Sequence, residues 1–155
     1  MASRHTSRER ALQMIFQWEA GGEEPAEVAR KFWGGLSVEP GEKLPEEDEF
    51  ANSLLFGVAR HKPSLDELIQ KHAANWKLDR MPGVDRNILR LAVYEMRHEN
   101  APAPIIITEA MELGRRFSGD KSERFLNGVL DAVSKDLGVP EEPATEPSPA
   151  GPPQS

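Results

Sequence analysis

Cationic and aromatic side chains alternate near the C-terminal end of the predicted helical region. Four cations and two phenylalanines fall within one short stretch: Arg115, Arg116, Phe117, Lys121, Arg124 and Phe125. Cations can hold phosphates and an aromatic ring can stack on a base, which are the requirements for binding single-stranded nucleic acid. A solvated helix end with two core phenylalanines gives the same pattern and is more common. The pattern alone therefore leaves both interpretations open.

A carboxylate inside an apolar helix is the second candidate. On a helical wheel, apolar side chains of residues 82–96 cover roughly half of the circumference, far more than the stripe of a surface helix. We therefore predict a central helix that is packed on more than one side, with Arg86, Arg90 and Arg97 on its remaining face. Glu95 falls inside the apolar arc, where it needs a partner or a proton. Pairing with a structural arginine is favoured over a catalytic role.

The sequence lacks several patterns that are typical of catalytic, cofactor and metal sites. Residues 114–121 lack the order of glycine, lysine and hydroxyl that a phosphate loop requires. Glu95 and His98 form one Glu-x-x-His pair, whereas a di-iron bundle needs two such pairs. The four histidines lack zinc-site spacing, and the absence of cysteine excludes thiolate chemistry. The sequence thus predicts no catalytic residue, no cofactor and no metal, and it favours a binding protein over an enzyme.

Length and composition limit the possible classes of protein. The 155 residues suit one domain, or two small subdomains that share a core. A formal net charge of −7 argues against coating nucleic acid by bulk attraction. No apolar run approaches the roughly 18 residues of a membrane span, and no signal peptide is recognisable, so we expect a soluble, cytoplasmic protein without membrane association. Six of the 13 prolines fall in residues 138–155, which predicts a disordered tail.

Helical periodicity and end signals predict an all-α fold of about seven helices. The predicted segments are about 4–20, 25–33, 46–61, 65–76, 82–96, 108–118 and 120–137. Pro63 is expected to end the third helix, and Ser64 with Glu67 to cap the fourth. In the first helix we expect an inward face that includes Leu12, Ile15 and Phe16.

Two further expectations concern the C-terminal half. Residues 105–107 are three isoleucines that could form a strand, but no second strand candidate exists to pair with them. We therefore prefer an apolar lead into a helix capped by Thr108. In the last helix, Gly128 is expected to let a neighbouring helix approach closely.

Ordered landmarks along the chain are similar to those of one protein family. These landmarks are Ala11-Leu12-Gln13 with Trp18, Val84-Asp85-Arg86, the run from Ile88 to Glu95, Thr108-Glu109-Ala110 with Glu112-Leu113, Lys121-Ser122, and the run from Phe125 to Asp131. Over about residues 4–137 the set closely resembles the NusB family of transcription antitermination proteins. The resemblance implies an all-helical fold of two small bundles, at about 4–76 and 80–137, and no enzymatic activity.

The same resemblance implies a function and its partners. Proteins of this family pair with ribosomal protein NusE, bind the boxA element of nascent, chiefly ribosomal, RNA, and work within the transcription elongation complex. By matching position, the residues expected to face RNA are Arg4, His5, Arg8, Lys121, Ser122, Arg124 and Phe125. Asp85 and Arg86 are expected to lie toward NusE.

Two classes of function remain at this point. The first is an RNA-binding antitermination factor. The second is a helical adaptor that binds only protein, or a homodimer in which the basic patch is buried. Salt separates the two classes, because RNA binding through phosphates weakens steeply as the salt concentration rises.

Overall fold

The computed structural model describes residues 3–36, 38–43, 46–99 and 101–141, and within these ranges it is all-helical. Six α-helices follow one another: α1 (Arg4–Gly21), α2 (Pro25–Gly34), α3 (Glu49–His72), α4 (Gly83–His98), α5 (Ala103–Phe117) and α6 (Glu123–Leu137). Short 3-10 turns, Leu78–Arg80 and Asp120–Ser122, precede α4 and α6. The predicted fold class is confirmed. None of the described helices is both long and apolar enough to cross a lipid bilayer.

Helix α3 replaces two of the predicted helices, because it continues through Pro63. Proline lacks the N–H that would bond to the carbonyl one turn earlier, which normally breaks a helix. Side chains on both sides of Pro63 are fully buried, however: Leu54, Leu55, Val58, Leu65 and Ile69. Their packing outweighs the lost hydrogen bond. Ser64 is not a cap, since its hydroxyl donates to the His61 carbonyl at 3.0 Å.

The starts of α5 and α6 also differ from expectation. Helix α5 begins at Ala103 and includes the three isoleucines, so the prediction that Thr108 caps it was wrong. Pro104 lies in the first turn, where its fixed φ angle favours a helix and its missing N–H costs nothing. Helix α6 begins at Glu123, after the 3-10 turn, and the Ser122 side chain does not cap it.

Helix α4 is the central element, as predicted, and it packs against α1, α3, α5 and α6. Ten of its residues are buried, including the polar Asp85, Asn87, Arg90 and Glu95. A close approach of helices occurs at Gly57, where a Cβ atom would overlap the Tyr94 ring across the α3–α4 contact. Gly128, which was expected to allow such an approach, has no atom within 4 Å of its Cβ position, so that prediction was wrong.

Helices α1 to α3 pack together, as do α4 to α6, and the buried apolar residues of both groups form one continuous cluster. The division into two bundles therefore stays a prediction. Residues 138–141, beyond the predicted boundary at residue 137, are bonded to the helical fold. Gly138 ends α6 with a φ of 68°, the Val139 N–H donates to the Ser134 carbonyl, and the Ala103 N–H donates to the Pro140 carbonyl at 2.9 Å. Residues 142–155 of the predicted tail lie outside the described residues.

Candidate nucleic-acid interface

Two free cations mark the start of α6. Lys121 and Arg124 are exposed, and neither forms an ion pair with another residue in the described ranges. Arg124 lies in the first turn of α6, and Lys121 lies in the 3-10 turn immediately before it. Backbone N–H groups at a helix N-terminus attract anions, so they reinforce these two charges. The arrangement suits phosphate groups.

The turn that carries Lys121 is anchored to α4 by Asp85. The Ser122 hydroxyl donates to Asp85 Oδ2 at 2.6 Å, and the Ser118 hydroxyl donates to Asp85 Oδ1. Asp85 is fully buried. The expectation that Asp85 faces a partner protein was therefore wrong, because both carboxylate oxygens are used inside the fold. The Ser122 hydroxyl likewise donates its hydrogen bond to Asp85, so Ser122 positions the turn.

Phe125 lies against Trp76, which belongs to the connection between α3 and α4. The two ring centroids are 4.7 Å apart, with the planes tilted by 59°. Both side chains are half-buried, so each is partly core and partly surface. This contact brings an aromatic surface beside Arg124. Trp76 stands at core spacing in the sequence, and nothing in the sequence pairs it with Phe125.

Arg8 does not face solvent, which corrects its predicted RNA contact. Its side chain is 9% exposed and that of Glu95 is 3% exposed. Arg8 donates three hydrogen bonds of 2.8 to 3.0 Å to the Glu95 carboxylate. Burial raises the pKa of Glu95, and the hydrogen bonds from Arg8 oppose that rise. The structural interpretation of Glu95 is thus supported, and its partner comes from α1.

Arg4 and His5 lie in the first turn of α1. Arg4 is exposed, and its guanidinium carbon lies 3.6 Å from the centroid of the Phe50 ring. His5 contacts three carboxylates, those of Glu9, Glu109 and Glu112, at 3.0 to 3.5 Å. A hydrogen bond to Glu109 raises the pKa of His5.

The carboxylates around His5 repel phosphate, so the structure does not favour His5 as an RNA contact. The ligand atoms of His5, Glu109 and Glu112 lie within 4.8 Å of one another, a spacing that a metal ion could use. Arg8 also contacts Glu109 at 3.4 Å, however, and its charge competes with a cation there.

Two arginines of α4, Arg86 and Arg90, point into an internal network, whereas the third, Arg97, is exposed. Arg86 donates to Glu19 at 2.8 Å and to the Leu78 and Met81 carbonyls, and its side chain is 17% exposed. Arg90 is buried between Glu19 and Asp66. Partial burial opposes ionisation of Glu19, but hydrogen bonds from Arg86 and Arg90 outweigh it and lower the pKa to about 2. The Arg86 guanidinium is thus bonded within the fold, and its predicted contact with a partner protein stays a prediction.

An apolar groove of about 270 Å³ opens beside α1. Its lining residues are Leu12, Gln13, Phe16, Gln17, Phe32, Val84 and Phe117. Phe16 is 44% exposed, so the prediction that it faces inward was wrong. Leu12 and Ile15 are buried as predicted, and Met14 is buried with them. We name this surface the Phe16 groove.

Three comparisons place the chain among known proteins. The NusB family model matches residues 5–135. The transcription antitermination protein NusB of Solibacter usitatus is 44% identical over 143 residues, which are 92% of this chain and 96% of that protein. A structure of Thermotoga maritima NusB has a TM-score of 0.74 and 29% identity, covering 87% of this chain and 92% of that one.

A complex of the antitermination factors NusB and NusE with double-stranded RNA has a similar NusB-like chain. Its TM-score is 0.72 with 29% identity, covering 86% of this chain and 96% of that one. Sequence, family model and fold agree over nearly all of the described residues. The chain therefore belongs to the NusB family.

Proposed function

We propose that this chain acts in transcription antitermination by binding a boxA-type single-stranded RNA together with ribosomal protein NusE. The observation that carries the proposal is the pair of free cations, Lys121 and Arg124, held beside the aromatic ring of Phe125. Relatives named as transcription antitermination proteins and the similar complex of NusB, NusE and RNA support it. The role requires neither catalysis nor a cofactor, and it places the chain in the cytoplasm within the transcription elongation complex.

The RNA surface that we propose is smaller than the predicted set. Lys121 and Arg124 bind phosphate, and the exposed part of the Phe125 ring stacks on a base. Although the similar complex contains double-stranded RNA, half-buried aromatic rings beside cations favour unpaired bases, because only unpaired bases offer a free face for stacking. Arg4 provides a further exposed cation at the N-terminal end of α1.

We assign the Phe16 groove to NusE. An exposed phenylalanine in an apolar depression, with glutamine amides beside it, is typical of the core and rim of a protein interface. Two groove residues also lie next to the RNA surface: Val84 precedes Asp85, which anchors Ser122, and Phe117 precedes the turn that carries Lys121. A protein bound in this groove would therefore contact the same RNA, which accounts for joint binding.

Equilibrium binding of a labelled boxA-type RNA, with and without NusE, tests the proposal. We expect tighter binding with NusE, and an affinity that falls steeply between about 50 and 200 mM salt. A scrambled RNA of equal length is the control for sequence preference. Binding of NusE without any binding of RNA would support the adaptor alternative instead. Sedimentation of the chain alone tests the predicted homodimer.

Substitution of Phe16 tests the assignment of the groove. Phe16→Ala should weaken NusE binding by about 2 kcal/mol, the cost of losing an aromatic anchor. Phe56 is a matched control, because it is 41% exposed on another surface, beside Trp18 and Arg60. Equal losses for Phe16→Ala and Phe56→Ala, or no loss for either, would contradict the assignment.

A further inference from the structure

We infer that a cleft between the α3–α4 connection and α6 binds one unpaired nucleobase of the RNA, an inference that rests on the proposed function. The cleft encloses about 580 Å³. Its lining includes Ala74, Asn75, Trp76, Arg124, Phe125 and Gly128. We name it the base cleft.

The aromatic side of the base cleft is formed by Trp76 and Phe125. Their rings are in contact and tilted, so they form a rigid pair that holds its shape without a ligand. Each ring is half-buried and leaves part of its surface free. A nucleobase that stacks on either ring would gain affinity with little sequence preference, because every base has a π-face.

The α6 side of the base cleft is open beside Phe125, because position 128, three residues further along the same helix face, carries no side chain. A Cβ atom at Gly128 would have no atom within 4 Å, although Gly128 lies in the middle of α6. Glycine inside a helix costs roughly 1 kcal/mol relative to alanine, so it needs a reason. Among the described residues no helix packs against Gly128 to supply a reason, whereas the open volume beside the two rings supplies one.

Charge and hydrogen bonding at the rim suit a nucleotide. Arg124 lines the cleft without an ion-pair partner among the described residues, so it can bind the phosphate next to a bound base. The rim residue His72 bonds to the Asp136 carboxylate at 2.7 Å, and Lys71 bonds to the same carboxylate at 3.0 Å. These contacts offset the negative charge of Asp136 near the cleft. The exposed Asn75 amide offers both a donor and an acceptor to the edge of a base.

Filling the base cleft tests the inference without removing any cation. Gly128→Leu places a side chain in open space on a helix, so we expect unchanged or higher stability. Asn127→Leu is the matched control, because it adds the same side chain at the neighbouring exposed position outside the cleft. With NusE present, we expect Gly128→Leu to weaken binding of a boxA-type RNA about 5- to 150-fold, the range for loss of one stacked base. Asn127→Leu should leave the affinity unchanged.

Abasic substitution along the same RNA identifies the bound nucleobase. We expect one abasic position to weaken binding to the wild type and to have little further effect on Gly128→Leu. Equal effects of every abasic position on both proteins would overturn the inference, as would equal affinities of Gly128→Leu and wild type. Weaker binding of NusE alone to Gly128→Leu would also overturn it, since the cleft would then hold protein. Failure of the wild type to bind RNA with NusE would instead refute the proposed function.

Discussion

Replacing Arg8 with alanine should lower the free energy of unfolding by about 3–5 kcal/mol, because it leaves a buried carboxylate without its cation. Glu95 is 3% exposed, and its three hydrogen bonds from the protein side chains described all come from Arg8. Removing Glu95 is expected to cost less, about 1–3 kcal/mol, since Arg8 keeps a contact to Glu109 at 3.4 Å.

The pH dependence of the Arg8→Ala effect follows from the pKa of Glu95. Burial already raises that pKa, and loss of the opposing hydrogen bonds from Arg8 raises it further. In the unfolded chain Glu95 loses its proton near its ordinary pKa, while the folded variant retains it to higher pH. The variant therefore loses stability as the pH rises from about 4.5 through the folded pKa. The difference between wild type and variant should be smaller at pH 5 than at pH 8.

Urea denaturation at both pH values measures these differences through the midpoint, provided that the slope is unchanged. The double variant Arg8→Met/Glu95→Leu is the control, because replacing both partners with apolar residues of similar size removes the stranded charge. We expect it to lie within about 1 kcal/mol of the wild type. An unchanged midpoint for Arg8→Ala would refute the reasoning, as would a double variant no more stable than Arg8→Ala.

Three other predictions follow from the same structure. Removing residues 142–155 should leave the melting temperature unchanged. Removing residues 138–155 should lower it, because this truncation also deletes the residues that end α6 and bond to α5. Equal melting temperatures of the two truncated chains would show that residues 138–141 contribute nothing to stability. Glu19→Gln should lower the free energy of unfolding by about 1–2 kcal/mol at pH 7, allowing for solvent screening. This loss should shrink as the pH falls from 4.5 toward 2, because wild-type Glu19 also becomes protonated there. A shift in denaturant midpoint that does not change with pH would contradict the prediction. Phe125→Ala should lower the free energy of unfolding by about 2 kcal/mol, because the ring is half-buried against Trp76. It should also weaken RNA binding by about 1–3 kcal/mol. If melts and binding assays show only one of these losses, the ring serves a single role.

Much of the fold could be predicted because helical periodicity depends on local sequence. The apolar arc of residues 82–96 correctly predicted a helix packed on several sides. Pro63 could not be interpreted in the same way, since its effect depends on whether buried residues flank it within one helix. Similarly, a wheel for α1 shows which residues share a face, but the position of neighbouring helices decides that Phe16 is exposed.

The candidate site was harder to predict, because charges are neutralised across long stretches of chain. Glu95 in an apolar arc signalled a buried cation, but its partner Arg8 lies 87 residues earlier. In the sequence, Asp85 has the position of an exposed acid in the first turn of a helix. In the structure, the hydroxyls of Ser118 and Ser122 donate hydrogen bonds to it, and it is buried. Lys121 and Arg124 have no such partner among the described residues, and the proposed RNA surface rests mainly on these two cations.

The dependence of RNA affinity on salt, measured with NusE for wild type and Lys121→Ala/Arg124→Ala, tests the central claim most directly. Arg30→Ala/Lys31→Ala is the matched control, because it removes the same charge from α2, where both cations already pair with glutamates. We expect the first variant to bind more weakly, with a slope of log affinity against log salt shallower by about 1.4, and the control to match the wild type. A folded Lys121→Ala/Arg124→Ala variant with unchanged affinity and slope would contradict the assignment of RNA binding to the start of α6.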